Sequence, residues 1–252
     1  MKYLRSYKAS TETCKTKLKL ENFSKEQQNT PKIDLNCRLE FPLKQEKLLA
    51  SYKLRAKVFC RELKWVGTEK TKFEVDEFDK YSEHLGVATA NGEIVGTLRF
   101  TSHHHLWLME KYFGDLLPKG FSKMKLNNSV EVSRMAIENT YRSQSASCGN
   151  RVVELLYRGV YEYSHHRNIA NVYIVVSTGI LRQLKLNRLP VRTLCQPVIM
   201  EDGTETVAAV IDWNALYRSK NKKDMHFLAT LQDATQCRNE SPSQLPETDL
   251  LH

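Results

Sequence analysis

Val130-Glu131-Val132-Ser133-Arg134-Met135-Ala136-Ile137 sets an acid and an arginine inside an otherwise apolar strand. Strict alternation predicts Val130, Val132 and Arg134 on one face, and Glu131, Ser133 and Met135 on the other. A central strand seldom carries charge on both faces, because an unpaired buried charge costs several kcal/mol. Both side chains therefore need partners. Arg55, Asp76, Asp79 and Arg99 stand beside apolar or aromatic residues in segments that should pack, and can supply them. Taken alone, Glu131 and Arg134 would read as a structural ion pair; the matching charges upstream favour a polar functional site within a mixed sheet.

The rest of the composition sets bounds on that site. With 252 residues, 41% hydrophobic and 27% charged, the chain can bury a substantial core. It reads as one domain over 41–218, a basic, poorly ordered arm over 1–40 and a polar tail over 219–252. No apolar run is long enough to span a bilayer, and the polar N-terminus lacks a secretory core. The six cysteines show no CxxC spacing, which predicts reduced thiols in a cytoplasmic protein with no metal site. The adjacent His103, His104 and His105 cannot all face one ion. A net charge of +9 favours acidic partners. No nucleic-acid-binding motif accompanies it, so no nucleic acid is expected, while a weak contact with a membrane surface is compatible with it.

Periodicity predicts alternating helices and strands, an α/β protein. Leu48, Leu49, Tyr52, Val58, Phe59 and Leu63 mark an amphipathic helix over 45–63. Strands over 84–89 and 93–101 flank Asn91-Gly92, a hairpin signal. A short helix over 106–117 ends before Pro118 and Gly120. After the Glu131 strand come a helix over 151–166, a buried strand over 171–177 and a helix over 178–186. Strands over 191–200 and 206–211 then flank Glu201-Asp202-Gly203.

That order resembles the GNAT-like acyltransferase fold, a mixed central sheet flanked by helices. The motifs resemble the autoinducer synthases (LuxI-type N-acyl-homoserine lactone synthases), with the long-chain N-acyl amino acid synthases and exosortase-associated acyltransferases as relatives. The likeness runs from about Leu54 to Trp213. It rests on Arg55, Phe59 and Trp65 within Leu54–Trp65, on Asp76 and Asp79 within Val75–Tyr81, and on Arg99 in Ile94–Phe100. It continues with Phe113, with Glu131-Val132-Ser133-Arg134, and with Val176-Ser177-Thr178 followed by Arg182.

The resemblance implies an N-acyltransferase. Glu131 would be the general base, acting through water, with Arg134 holding its charge and Arg99 joining them in catalysis. Arg55, Phe59, Trp65, Asp76 and Asp79 would form the acceptor cleft, its carboxylates attracting a cation and its aromatic faces shielding it. Phe113, Ser133, Ser177 and Thr178 would complete substrate binding. No cofactor is implied; acyl-acyl carrier protein and S-adenosylmethionine would be co-substrates. The acceptor is a small-molecule amine: S-adenosylmethionine, or a free amino acid as in the related synthases. The loop Tyr141–Asn150 holds a single glycine, a poor cradle for the coenzyme A pyrophosphate. It suits an acidic acyl carrier protein better, met by Arg142, Arg151, Arg158, Arg167 and Lys119–Lys125.

Overall fold

The computed structural model describes residues 36–142 and 149–239. Eight strands form one sheet: β1 (Arg38–Glu40), β2 (Ser82–Ala88), β3 (Ile94–Ser102), β4 (Ser129–Ile137), β5 (Asn171–Ser177), β6 (Val191–Thr193), β7 (Val198–Ile199) and β8 (Glu205–Asp212). Their order is β1-β2-β3-β4-β5-β8-β6, and β7 pairs with β8 beside β6. Every pairing is antiparallel except that of β4 with β5.

That parallel pair decides where a site can form. β4 and β5 face each other at only three positions, from Ser129↔Asn171 to Glu131↔Tyr173. Beyond Glu131 the strands part. β4 stays paired with β3 as far as Ile137, and β5 with β8 as far as Ser177. The result is a split in the middle of the sheet with Glu131 at its apex.

Two helical layers cover the sheet. α1 (Gln45–Arg55) lies over β3 and β4 on one face, and α4 (Gly149–His166) packs on β1, β2 and β3 on the other. Val152, Leu156 and Val160, spaced four apart, form the buried stripe of α4. The Asn91-Gly92 turn joins β2 and β3 as expected, with Gly92 at φ 84, which costs an L side chain strain. α5 (Thr178–Leu186) follows β5, and Leu181 and Leu184 join the α4-side core.

Several boundaries differ from those the sequence predicts. The α-helical part of 45–63 ends at Arg55, and the chain continues as a π-helix over Ala56–Glu62. The segment 106–117 divides into α2 (Leu108–Tyr112) and a 3₁₀ turn, Gly114–Leu116. Arg38–Glu40, the last residues of the expected arm, pair with β2 because Leu39 has apolar surface to bury. After a short α3 (Asn139–Arg142) and the α6 turn (Trp213–Arg218), the expected tail contains α7 (Lys222–Asn239). Phe227, Leu228 and Leu231 dock it on the core, a stripe too sparse to stand out in so polar a segment.

The approach of α4 to the sheet depends on Gly159: a Cβ there would lie 2.5 Å from Leu85 Cδ1. Gly159→Val should therefore cost about 1–3 kcal/mol by overpacking. Gly114, with nothing within 4 Å of a built Cβ, should accept alanine with little change. Urea midpoints of the two variants check this, and equal midpoints would refute the packing argument.

Candidate active site

Three arginines and three carboxylates meet on the α1 face of β3 and β4. Arg55, at the end of α1, lies against Asp79 at 2.7 and 3.0 Å through its two terminal nitrogens. It also holds Glu74 through Nε at 2.6 Å. Arg99, wholly buried in β3, reaches Asp76 at 2.5 Å and Asp79 at 3.0 Å through Nη1, and donates from Nε to Ser133 Oγ at 3.1 Å. Arg134 pairs with Glu74 at 3.0 Å and with Asp76 at 2.8 Å. The arginines also lie over aromatic rings: Arg55 over Tyr52, Arg99 over Phe78 and Arg134 over Phe59, at 5.1, 5.4 and 5.7 Å from the centroids.

Burial alone would raise the Asp79 carboxyl. Hydrogen bonds and charge from Arg55, with the charge of Arg99, reverse that and hold it at about 2. His84 faces the same cluster from β2, opposite Arg99. Burial pushes its imidazole down to about 4 against the pull of Asp79, so it is neutral at pH 7. It packs edge-on against Tyr52, and its Nε2 lies 3.5 Å from Asp79 Oδ1, although neither ring nitrogen makes a hydrogen bond among the described residues.

The position of Arg134 corrects the alternation. Thr97 pairs with Ala136 and Arg99 with Ser133, so Arg134 and Met135 together oppose Leu98 in a β-bulge. Arg134 sits there at φ 55, a left-handed conformation that costs of order 1–3 kcal/mol. The extra residue returns Arg134 to the face of Glu131 and Ser133, and sends Met135 to the α4-side core.

Arg134 does not hold Glu131, contrary to expectation. Glu131 is 2% exposed and accepts the backbone N–H of Leu108 at 2.9 Å and of Met109 at 2.7 Å. Burial pushes its carboxyl up to about 7, although these two donors and Arg99 pull the other way. Next to it, on the same face, lies an apolar group of Trp107, Met109, Leu116, Phe121, Tyr173, Ala208 and Val210. Glu131 thus separates a charged side from an apolar side.

The predicted residues fall into three places. Arg55, Phe59, Asp76, Asp79, Arg99, Ser133 and Arg134 converge. Trp65 joins them by stacking on Phe59, at 6.1 Å and 19°, while remaining 46% exposed. Phe113 packs on the apolar side with Trp107 and Tyr173. Ser177 and Thr178 stand apart, roughly 13 Å along β5 from Tyr173. Ser177 caps α5 and Thr178 donates to Glu205 at 2.7 Å. The carboxylates expected to attract a cation are already matched by guanidiniums, so the cluster is neutral overall.

Glu74 carries no signal in the sequence, because Asp76, Asp79 and Glu131 already balance the three arginines there; only the binding of Glu131 by two backbone N–H groups leaves room for another acid. The proposed carrier-protein cations do not share one face. Arg142 pairs with Glu62 before α4 begins, and Arg167 with Glu83 after it ends, about 27 Å away. Lys125 lies over Trp107, on the face of the sheet away from α4. The side chain of Arg151 and residues 143–148 of the donor-side loop lie outside the described residues.

Comparison with known proteins agrees with this architecture. The acetyltransferase (GNAT) domain family matches residues 54–149. An acyl-homoserine-lactone synthase of Rhizobium radiobacter is 27% identical over 149 residues, covering 58% of this chain and 70% of that protein. Another, of Aliivibrio fischeri, is 26% identical over 138 residues, 54% of this chain and 70% of that one. Among solved structures, the acyl-homoserine-lactone synthase LasI superposes with a TM-score of 0.59 at 22% identity, over 70% of this chain and 90% of its own. TofI, in a ternary complex with an inhibitor and MTA, gives 0.57 at 22%, over 70% and 91%. These superpositions establish the GNAT-like fold, and the chain is an acyltransferase similar in sequence to LuxI-type acyl-homoserine-lactone synthases.

Proposed function

We propose that this acyltransferase carries a fatty acyl chain from acyl carrier protein to the α-amino group of S-adenosylmethionine, forming an N-acyl-homoserine lactone. One observation carries the reading: a charged cluster and an apolar group share one face of the sheet, on either side of Glu131 at the apex of the split. The two sides suit the two halves of such a product. Each buried methylene of an acyl chain gains about 0.8 kcal/mol. On the polar side, Asp76 and Arg134 keep 19% and 17% of their side chains exposed and can meet an ammonium and a carboxylate. The half-exposed indole of Trp65 offers a face to a sulfonium.

In the transfer, the amine nitrogen bonds to the thioester carbon, the C–S bond breaks and the carrier thiol leaves. Glu131, acting through water, takes a proton from the amine and the thiol receives one. A carboxyl near 7 suits that exchange at neutral pH. Backbone N–H groups along the parted edges of β4 and β5 are candidates to hold the oxyanion. The acceptor's own carboxylate then attacks the carbon bound to the sulfonium sulfur, closing the lactone and releasing methylthioadenosine. A free amino acid acceptor is the second reading. The balance of three arginines with three acids favours it, since no surplus carboxylate awaits a second positive charge.

Mass spectrometry of purified enzyme given acyl carrier protein or coenzyme A donors, with S-adenosylmethionine or amino acids, should show an acyl-homoserine lactone. Neither lactone nor acyl amino acid from any pairing would end the proposal. Trp65→Ala should raise the KM for S-adenosylmethionine by about 3- to 30-fold with kcat little changed, and Trp65→Phe should restore most of it. An unchanged KM removes Trp65 from the acceptor site.

The cluster that frames this cleft should also fail in acid. Asp79 titrates at about 2 in the folded chain against 3.8 for a free carboxyl. Its stabilisation is therefore complete above pH 4 and is lost as pH falls towards 2, about 2 kcal/mol in all. Thermal melts from pH 5 to 2 should show this fall, and Asp79→Asn should flatten it while lowering stability at pH 7. An equally steep acid limb in that variant would assign the loss elsewhere.

A further inference from the structure

Two short segments meet at the closed end of the sheet and carry positive charge that the fold does not answer. α5 runs back from the open end of the split, and Pro190, just beyond it, accepts the backbone N–H of Asp212 at 2.9 Å. Asp212 caps α6 and faces Asn171, the first residue of β5. The end of α5 and the α6–α7 junction therefore lie side by side, roughly 20 Å along β5 from Ser177, where the split opens. Arg188 reaches Asp224 at 3.9 Å, and Asp224 accepts the Ser219 hydroxyl at 2.7 Å, which closes the seam between them. Lys185, Arg188, Arg218, Lys220, Lys222 and Lys223 are all exposed here. Asp224 is the single acid of 185–188 and 217–225, and among the described residues no carboxylate pairs with the other five cations. Leu186 and Met225 stand among them at 69% and 57% exposure, together with the half-exposed Tyr217.

We propose that this basic and apolar surface docks the protein on an anionic membrane, against the phosphates of acidic phospholipids. The contact is one of adsorption: no helix among the described residues is long and apolar enough to cross a membrane. Four of the six cations are lysines. A lysine is a point charge on a flexible stem and needs no fixed partner geometry, which suits a fluid layer of headgroups. Leu186 and Met225 enter that layer below the phosphates, where an apolar side chain leaves water, and Tyr217 sits at the boundary between the two. A nucleic acid offers the negative charge without the apolar layer. An acyl carrier protein also offers charge, but it has to present its thioester at the open end of the split, and this surface lies at the other end. Adsorption here leaves the open end facing water, free for a donor to approach. The proposal stands whichever amine accepts the acyl chain.

The test is flotation of the full chain with vesicles of phosphatidylcholine, either alone or containing about one third phosphatidylglycerol, at low and high salt. Binding should require phosphatidylglycerol and weaken as salt rises. Lys220→Gln/Lys222→Gln/Lys223→Gln should lower the partition about 100-fold, about fivefold for each lysine. Lys44→Gln/Lys70→Gln/Lys72→Gln removes the same charge from exposed sites elsewhere and should bind within about threefold of the parent. Leu186→Ser/Met225→Ser keeps every charge and should cost about tenfold at high salt, where the apolar part of the contact persists. No binding to the acidic vesicles would overturn the proposal, as would equally strong binding to the neutral ones. Equal losses in the two lysine variants would overturn it too, because net charge and not this surface would then be responsible. Unchanged binding of the Leu186 variant would remove the apolar half of the argument, and the membrane with it. Acyl carrier protein and duplex DNA are titrated beside the vesicles. Should the Lys220 variant lose either of these while keeping its vesicle binding, the surface belongs to that macromolecule and the proposal fails. Flotation reads no turnover, so its result is independent of the acyl transfer.

Discussion

The structure depends on a balance of charge in a largely buried space. Arg55, Arg99 and Asp79 are almost wholly buried, where a charge without a partner costs several kcal/mol. Each guanidinium meets at least two carboxylates and each carboxylate at least two guanidiniums, so removing one member strands the others. These residues come from α1, from the segment before β2, from β3 and from β4. The network is therefore also what ties the α1 layer to the sheet beside the split. Its stability is conditional: it holds only while the count of charges is even.

The bulge at Arg134 follows from that condition. Without an extra residue in β4, Arg134 would point into the α4-side core, where Val130, Val132 and Ile137 offer it no partner. Glu74 would then lack its second cation. A left-handed residue costs less than an unpaired buried charge, so the strand bends rather than let the arginine face the wrong way. The same bend returns Met135 and Ile137 to the apolar layer, and both faces of β4 are satisfied.

Much of this was legible in the sequence, and the losses have physical causes. Hydrophobic spacing marked the strands and the long helices, because burial imposes period and length directly. The Glu131 stretch announced a buried polar site, because charge inside an apolar strand must be compensated. Alternation could not reveal the bulge, since a one-residue insertion leaves no local sign when the partner strand is unknown. Nor could it assign partners. Arg134 was matched to the nearest acid in sequence, whereas the fold gave it Glu74 and Asp76 and gave Glu131 two backbone amides from α2. Ser177 and Thr178, which the motif assigns to the site, lie further along β5, where they also hold the start of α5 and the edge of β8. Motif spacing fixes which strand a residue occupies, and the pitch of that strand decides how far it lies from the rest.

Glu131 and Asp79 show how one sheet face gives two carboxylates opposite characters. Both are desolvated, and for both burial is the largest influence on the proton. Asp79 meets full positive charges at hydrogen-bond distance, which outweigh the loss of water and keep it an anion. Glu131 meets mainly the partial charges of two amides, which do not, and it holds its proton until neutral pH. The difference lies in the partners that the fold gives each acid. Arg134 shares a face with Glu131 but is taken up by Glu74 and Asp76, so Glu131 has two amides and, among the described residues, no guanidinium at hydrogen-bond distance. A carboxyl kept off the arginines, at the point where β4 and β5 part, is what allows a proton to be exchanged there instead of being held permanently away.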